Sequence, residues 1–129
     1  MDDPRVLIDT SVIIEYFRKT QKEKTTLYKL CADTQEIAVS AVTVFEVFVG
    51  NNPKNEQDTR KLFKGFSVIS FDEEIAKIAS REYQMLKRQN NVIEFRDIFI
   101  GATAIAANIP LATLNPKHFE RLPTITMFL

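Results

Sequence analysis

Four short runs of branched and small apolar residues, each separated from the next by one or two stretches of helical periodicity, constrain this chain more than any other feature. They lie in Arg5-Val6-Leu7-Ile8-Asp9, Glu36-Ile37-Ala38-Val39, Phe66-Ser67-Val68-Ile69-Ser70 and Leu111-Ala112-Thr113. Runs this short and this apolar read as strands buried on both faces. Crossovers through helices make such strands parallel and pack helices on both sides of the sheet. The class is α/β, a three-layer α/β/α sandwich with a central, mostly parallel sheet. At 129 residues, with no internal repeat, low-complexity tract or linker, residues 1–129 fit a single domain.

The intervening segments carry their own punctuation. Val12, Ile13, Tyr16 and Phe17 mark a first helix. Leu27, Leu30 and Cys31 mark a second, ending near Asp33-Thr34, with Cys31 on its apolar face and packed in the core. Ser40 is placed to cap a helix over Ala41 to Val49, with Gly50 as its left-handed exit. After the loop Asn51-Asn52-Pro53 a polar helix runs to Gly65. Asp72 is placed to cap a long helix ending at Asn90-Asn91. Asp97 stands at or near the start of a helix through Ala107, broken by Asn108-Ile109-Pro110. Asn115-Pro116 opens a short helix over Lys117 to Arg121, and Thr124 to Met127 reads as an edge strand.

Composition removes several classes of chemistry. Gly50, Gly65 and Gly101 are the only glycines and are too far apart for a phosphate-cradling loop. With one histidine, His118, an HExxH zinc site is impossible. One cysteine makes no internal disulfide. The acidic opening lacks the basic start of a signal peptide, and Asn108 and Pro110 interrupt the longest apolar stretch, so a cytoplasmic protein with no membrane span is expected. Seventeen basic and seventeen acidic residues cancel, leaving no global field to identify a partner.

The placement of three acids is more informative. Asp9 closes the first strand, where parallel sheets gather their ligands, although an aspartate there also suits a helix cap. Thr10 and Ser11 fit either a cap or hydroxyls near a metal. Glu46 interrupts an otherwise apolar helix, where an unpaired charge is costly; a buried salt bridge is the structural alternative to a site. Asp97 heads the most apolar helix, where interaction with the helix N-terminus is the simpler role. If the three meet, two unit charges ~4 Å apart at an effective dielectric of 20 repel by about 4 kcal/mol. Oxygen-only ligands then select a hard ion, Mg²⁺ or Mn²⁺, suited to in-line displacement at a phosphodiester.

VLIDTSVIIEYF, SAVTVFEVFVG, FRDIFIGATAIA and LATLNPKHFERL, in this order along nearly the whole chain, resemble the PIN domain, specifically the VapC-type toxin endoribonucleases. The resemblance implies a parallel α/β/α fold and Mg²⁺- or Mn²⁺-dependent cleavage of RNA. Asp9, Glu46 and Asp97 are then acidic metal ligands and catalytic residues. It also implies a VapB-like antitoxin that blocks the acidic pocket, and a homodimer. The family often carries Asp in a Thr-x-Asp pattern where this chain has Thr113-Leu114-Asn115. Asn115 offers a carbonyl oxygen to the metal but removes one negative charge, and Thr113 supports the site.

Alternatives remain at this stage: an RNA-processing or DNA-repair nuclease with no antitoxin, a PIN-fold nucleic-acid or protein-binding module without catalysis, or, more remotely, a receiver-like phosphoacceptor at Asp9. His118 fits either a surface position or RNA contact. Arg18, Lys19, Lys22 and Lys24 form either a solvated face or a phosphate-contacting patch. Val44, Phe45, Phe48 and Val49 read most simply as core, with a partner face as the other reading.

Overall fold

The computed structural model describes residues 3–33, 35–50 and 55–128. The expected loop Asn51-Asn52-Pro53 lies outside these residues, as does Thr34; the second helix, expected to end near Asp33-Thr34, ends at Ala32 with Asp33 as its C-cap. β1 (Arg5–Ile8), β2 (Glu36–Ser40), β3 (Ser67–Ile69) and β4 (Leu111–Ala112) form one sheet in the order β3-β2-β1-β4. Every pairing is parallel, with Val6 opposite Ile37 and Leu7 opposite Leu111.

Successive side chains along a strand face opposite layers, and the packing obeys that alternation. Val6, Ile8, Ile37, Val39 and Ala112 point toward α1 (Thr10–Arg18), α2 (Thr26–Ala32), α3 (Ala41–Val49) and α4 (Glu56–Lys64). There they meet Val12, Ile13, Leu27, Leu30, Val47 and Phe63. Leu7, Ala38 and Leu111 point the other way, onto Ile100, Ala104 and Phe119 of α6 (Phe95–Ala107) and α7 (Pro116–Phe119). α5 (Glu73–Arg88) packs on α6 through Ile75, Ala79, Leu86, Ile98 and Ala102. The three-layer α/β/α sandwich is therefore present, and its sheet is wholly parallel.

Caps form where the sequence places them. Ser40 Oγ accepts from Val42 N and Asp72 Oδ1 accepts from Ile75 N. α6 ends at its C-cap Asn108, and the chain leaves α5 through Asn90, two residues past Arg88; both asparagines have positive φ.

Four local expectations differ. Gly50 ends α3 at φ −80°, in the right-handed region, so no left-handed exit is needed. Cys31 is exposed, because the buried face of α2 is centred on Leu27 and Leu30, leaving Cys31 on its flank. Thr124 to Met127 makes a single bridge, Leu111 to Met127, instead of a strand. The last helix covers Pro116–Phe119, not Lys117 to Arg121. α3 is divided: Val44 and Phe48 pack against the core, whereas Phe45 and Val49 are 68% and 67% exposed. No helix of the described residues is long and apolar enough to cross a membrane.

α6 approaches Leu122 so closely at Gly101 that a Cβ there would collide with Leu122 Cδ1, and Leu122 is itself buried. Gly101→Val is expected to cost about 1–3 kcal/mol through overpacking, measured as a lower denaturant midpoint at constant slope. An unchanged midpoint would show that Leu122 has room to move aside.

Candidate active site

β1 delivers Asp9 to the carboxyl edge of the sheet. There β1 borders both β2 and β4, the switch in strand order at which parallel sheets bind ligands. Asp9 occupies the N-cap position of α1, yet its side chain makes no capping bond. It is engaged elsewhere. Ser11 Oγ donates to its Oδ1 at 2.5 Å and Thr113 Oγ1 donates to its Oδ2 at 2.6 Å. Each hydroxyl in turn accepts a backbone N–H, Ser11 from Leu114 at 3.1 Å and Thr113 from Asn115 at 2.9 Å. With those lone pairs occupied, both hydroxyl protons are directed at the carboxylate, and the loop after β4 is tied to the start of α1.

Asp9 is 5% exposed. Burial raises its carboxyl above the usual range; the Ser11 and Thr113 hydroxyls oppose the rise, and the charge of nearby Asp97 adds to it. Among the described residues no ion pair reaches Asp9; the pairs formed in this region belong to its acidic neighbours.

Glu46 and Asp97 each have a cationic or basic partner. On α3, Glu46 Oε1 accepts from Thr10 Oγ1 at 2.6 Å, and Oε2 pairs with Arg96 Nη1 at 3.0 Å. Arg96 Nε also reaches Glu94 Oε2 at 3.0 Å. Glu46 is thus ion-paired, but its partner Arg96 is more than half exposed, so the bridge lies at the surface and is not the buried pair of the alternative reading. Asp97, in the first turn of α6, has Oδ2 3.1 Å from His118 Nδ1. Burial raises the Asp97 carboxyl as well, with His118 and Arg96 opposing the rise.

The fold therefore sets Asp97 near enough for its charge to add to the rise at Asp9, and it links Glu46 to both through their chain neighbours Thr10 and Arg96. Asn115 stands beside Ser11 in one cleft, and its side chain makes no capping bond to α7. The sequence reasoning missed the roles of Arg96 and His118. The available signal was only proximity in sequence, since Arg96 directly precedes Asp97 and His118 lies in the short helix that follows Asn115.

Among the described residues no three Asp, Glu, His or Cys side chains are gathered closely enough to enclose an ion. Glu46 and Asp97 are turned toward their own partners instead. Mg²⁺ does not need such a cage, because it keeps several waters and binds through one or two carboxylates completed by substrate phosphate. Asp9, with a buried charge and only hydroxyl and backbone partners, fits that requirement, and the oxygen-only donor set suits a hard ion.

The PIN domain family model matches residues 6–124. The chain is 35% identical over 122 residues to Ribonuclease VapC1 of Methanocaldococcus jannaschii, covering 94% of this chain and 83% of that protein. A chain of a toxin-antitoxin complex from Klebsiella pneumoniae, 27% identical, superposes with a TM-score of 0.74 over 95% of this chain and 96% of its own. DNA-bound VapBC from Salmonella typhimurium gives a TM-score of 0.86 over 98% of each chain at 18% identity, a likeness of fold. By a family model spanning nearly all of its length and a curated relative above 30% identity, this chain belongs to the PIN domain family.

Proposed function

We propose that this chain is a divalent-metal-dependent endoribonuclease that hydrolyses RNA phosphodiesters, and the toxin of a type II toxin–antitoxin pair. The observation that carries this reading is Asp9: a buried carboxylate at the switch of a parallel sheet, raised in pKa, beside a second acid and reached by no cationic side chain among the described residues. The similarity to a protein named a ribonuclease and to a chain of a toxin-antitoxin complex supports it.

In this reading Asp9, Glu46 and Asp97 are the catalytic residues and, with Asn115, would hold Mg²⁺ in an open site completed by water and substrate phosphate and not in a closed cage, with Mn²⁺ as a substitute. The bound ion supplies positive charge to the phosphoryl transition state and acidifies water. Ser11 and Thr113 fix both oxygens of Asp9, and Thr10 fixes one oxygen of Glu46. His118 orients Asp97, and Arg96 holds the other oxygen of Glu46. The protein acts as one domain in the cytoplasm. Phe45 and Val49, exposed on the same helix as Glu46, support protein partners on this side, which we assign to a VapB-like antitoxin and to a homodimer.

Purified protein is expected to cut RNA with Mg²⁺ or Mn²⁺ and to lose the activity with chelator. Asp9→Asn is expected to lower kcat/KM by about 10²–10³-fold or more; cleavage that survives both treatments refutes the assignment. For Asp9 and Asp97 the folded pKa lies above the unfolded value, so the folded state binds more protons and loses stability as pH rises from about 3.8. At pH 7 metal-free Asp9→Asn is therefore expected to melt above the parent, and Mn²⁺ to raise the Tm of the parent alone. Titration calorimetry should show Mn²⁺ affinity increasing with pH through this elevated carboxylate range, because protons and metal compete for the same oxygens. Affinity independent of pH would place the metal elsewhere.

A further inference from the structure

Of the four cations in the basic stretch, Lys19 is paired with Glu15 at 3.4 Å. Lys22 donates to the Tyr16 carbonyl and lies over the Tyr16 ring, 4.7 Å from its centroid. Lys24 is exposed on the 3-10 turn and lines neither of the clefts described next. Arg18 is different: among the described residues it makes no ion pair, and it borders two clefts that open beside the acidic site. One, of about 430 Å³, contains Ser11, Glu15, Arg18, Leu114 and Asn115. The other, of about 270 Å³, contains Arg18, Phe17, Val47 and Glu46.

Ser11, Ile14 and Arg18 fall on one face of α1 at helical spacing, so Arg18 stands about 10 Å along the axis from the hydroxyl that holds Asp9. Between them, Ile14 and Leu114 are 40% and 44% exposed and give the cleft an apolar wall. Glu15 contributes an acid, but its carboxylate is occupied by Lys19 and by the Thr26 N–H. The cleft thus has one end at Ser11 and Asn115, where Ser11 is bonded to the buried Asp9, an apolar middle, and one uncommitted guanidinium at the far end. A polyanion whose scissile phosphate is at the acids needs its neighbouring phosphate neutralised, and a guanidinium does this with paired hydrogen bonds.

We propose that the cleft along α1 is a subsite for single-stranded RNA, in which Arg18 binds a backbone phosphate flanking the scissile one while Ile14 and Leu114 support the intervening ribose or base. The subsite rests on the ribonuclease reading. Arg18 touches substrate away from the reacting atoms, so it positions the strand and contributes little to the chemical step.

The test is steady-state cleavage of a mixed-sequence single-stranded RNA oligonucleotide with Mg²⁺, over a series of salt concentrations, by parent, Arg18→Gln, Arg18→Lys and Arg88→Gln. Arg18→Gln is expected to raise KM about tenfold with kcat nearly unchanged. It should also flatten the dependence of log(kcat/KM) on log salt by about 0.7, the value for one single-strand phosphate contact. Arg18→Lys should restore most of the salt slope. Arg88→Gln, which removes the same charge from the last turn of α5, should behave as the parent. Tm and Mn²⁺ affinity should be the same in all four. A parent that cuts RNA while Arg18→Gln keeps its KM and slope, or while Arg88→Gln loses as much, overturns the subsite alone. A parent that cuts no RNA overturns the ribonuclease reading and the subsite with it.

Discussion

A carboxylate largely withdrawn from bulk water governs the architecture around it. Val6, Leu7 and Ile8 are wholly buried, and Asp9 follows with no intervening turn, so its position is fixed by the sheet. Two hydroxyls clamp its oxygens, and each is itself held by a backbone N–H from the loop after β4. This satisfies the hydrogen-bonding needs of the carboxylate without cancelling its charge. That unrelieved charge, in a site where water screens poorly, is the physical basis of the proposed metal chemistry.

The three acids are not equivalent. Glu46 and Asp97 sit on apolar helices where an isolated charge would be costly, and each is compensated by a side chain from another part of the fold or its neighbour in the site. Asp9 has no such partner among the described residues. Arg96 is central to this asymmetry, since it pairs with Glu46 and Glu94 while standing next to Asp97 in the chain. Of the three acids, Asp9 is therefore the one without an ion-pair partner among the described residues.

Much of this was legible in the residues. Strand positions followed from short apolar runs, and the caps at Ser40 and Asp72 and the turn at Asn108 followed from local side-chain chemistry. The position of Asp9 at the sheet edge was legible for the same reason. What escaped were features decided by distant neighbours. Arg96 meets Glu46 across 50 positions and His118 meets Asp97 across 21, and no local pattern encodes either. Cys31 satisfies the helical spacing of a core residue, yet the buried face of α2 is centred on Leu27 and Leu30 and leaves it on the flank. Asp9 has the identity and position of a capping residue, but two hydroxyls compete successfully for its oxygens.

The bond between Thr113 and Asp9 joins residues 104 positions apart. A ribosome extends its product from the amino end, so Asp9 emerges long before the hydroxyl that will hold it. Ser11 alone can reach the carboxylate in the interim, and the loop that anchors both hydroxyls does not yet exist. Closure of so distant a pairing is slow compared with local helix formation. The acidic pocket is therefore one of the last parts of the molecule to be assembled, and a nascent chain remains without it until translation has passed β4.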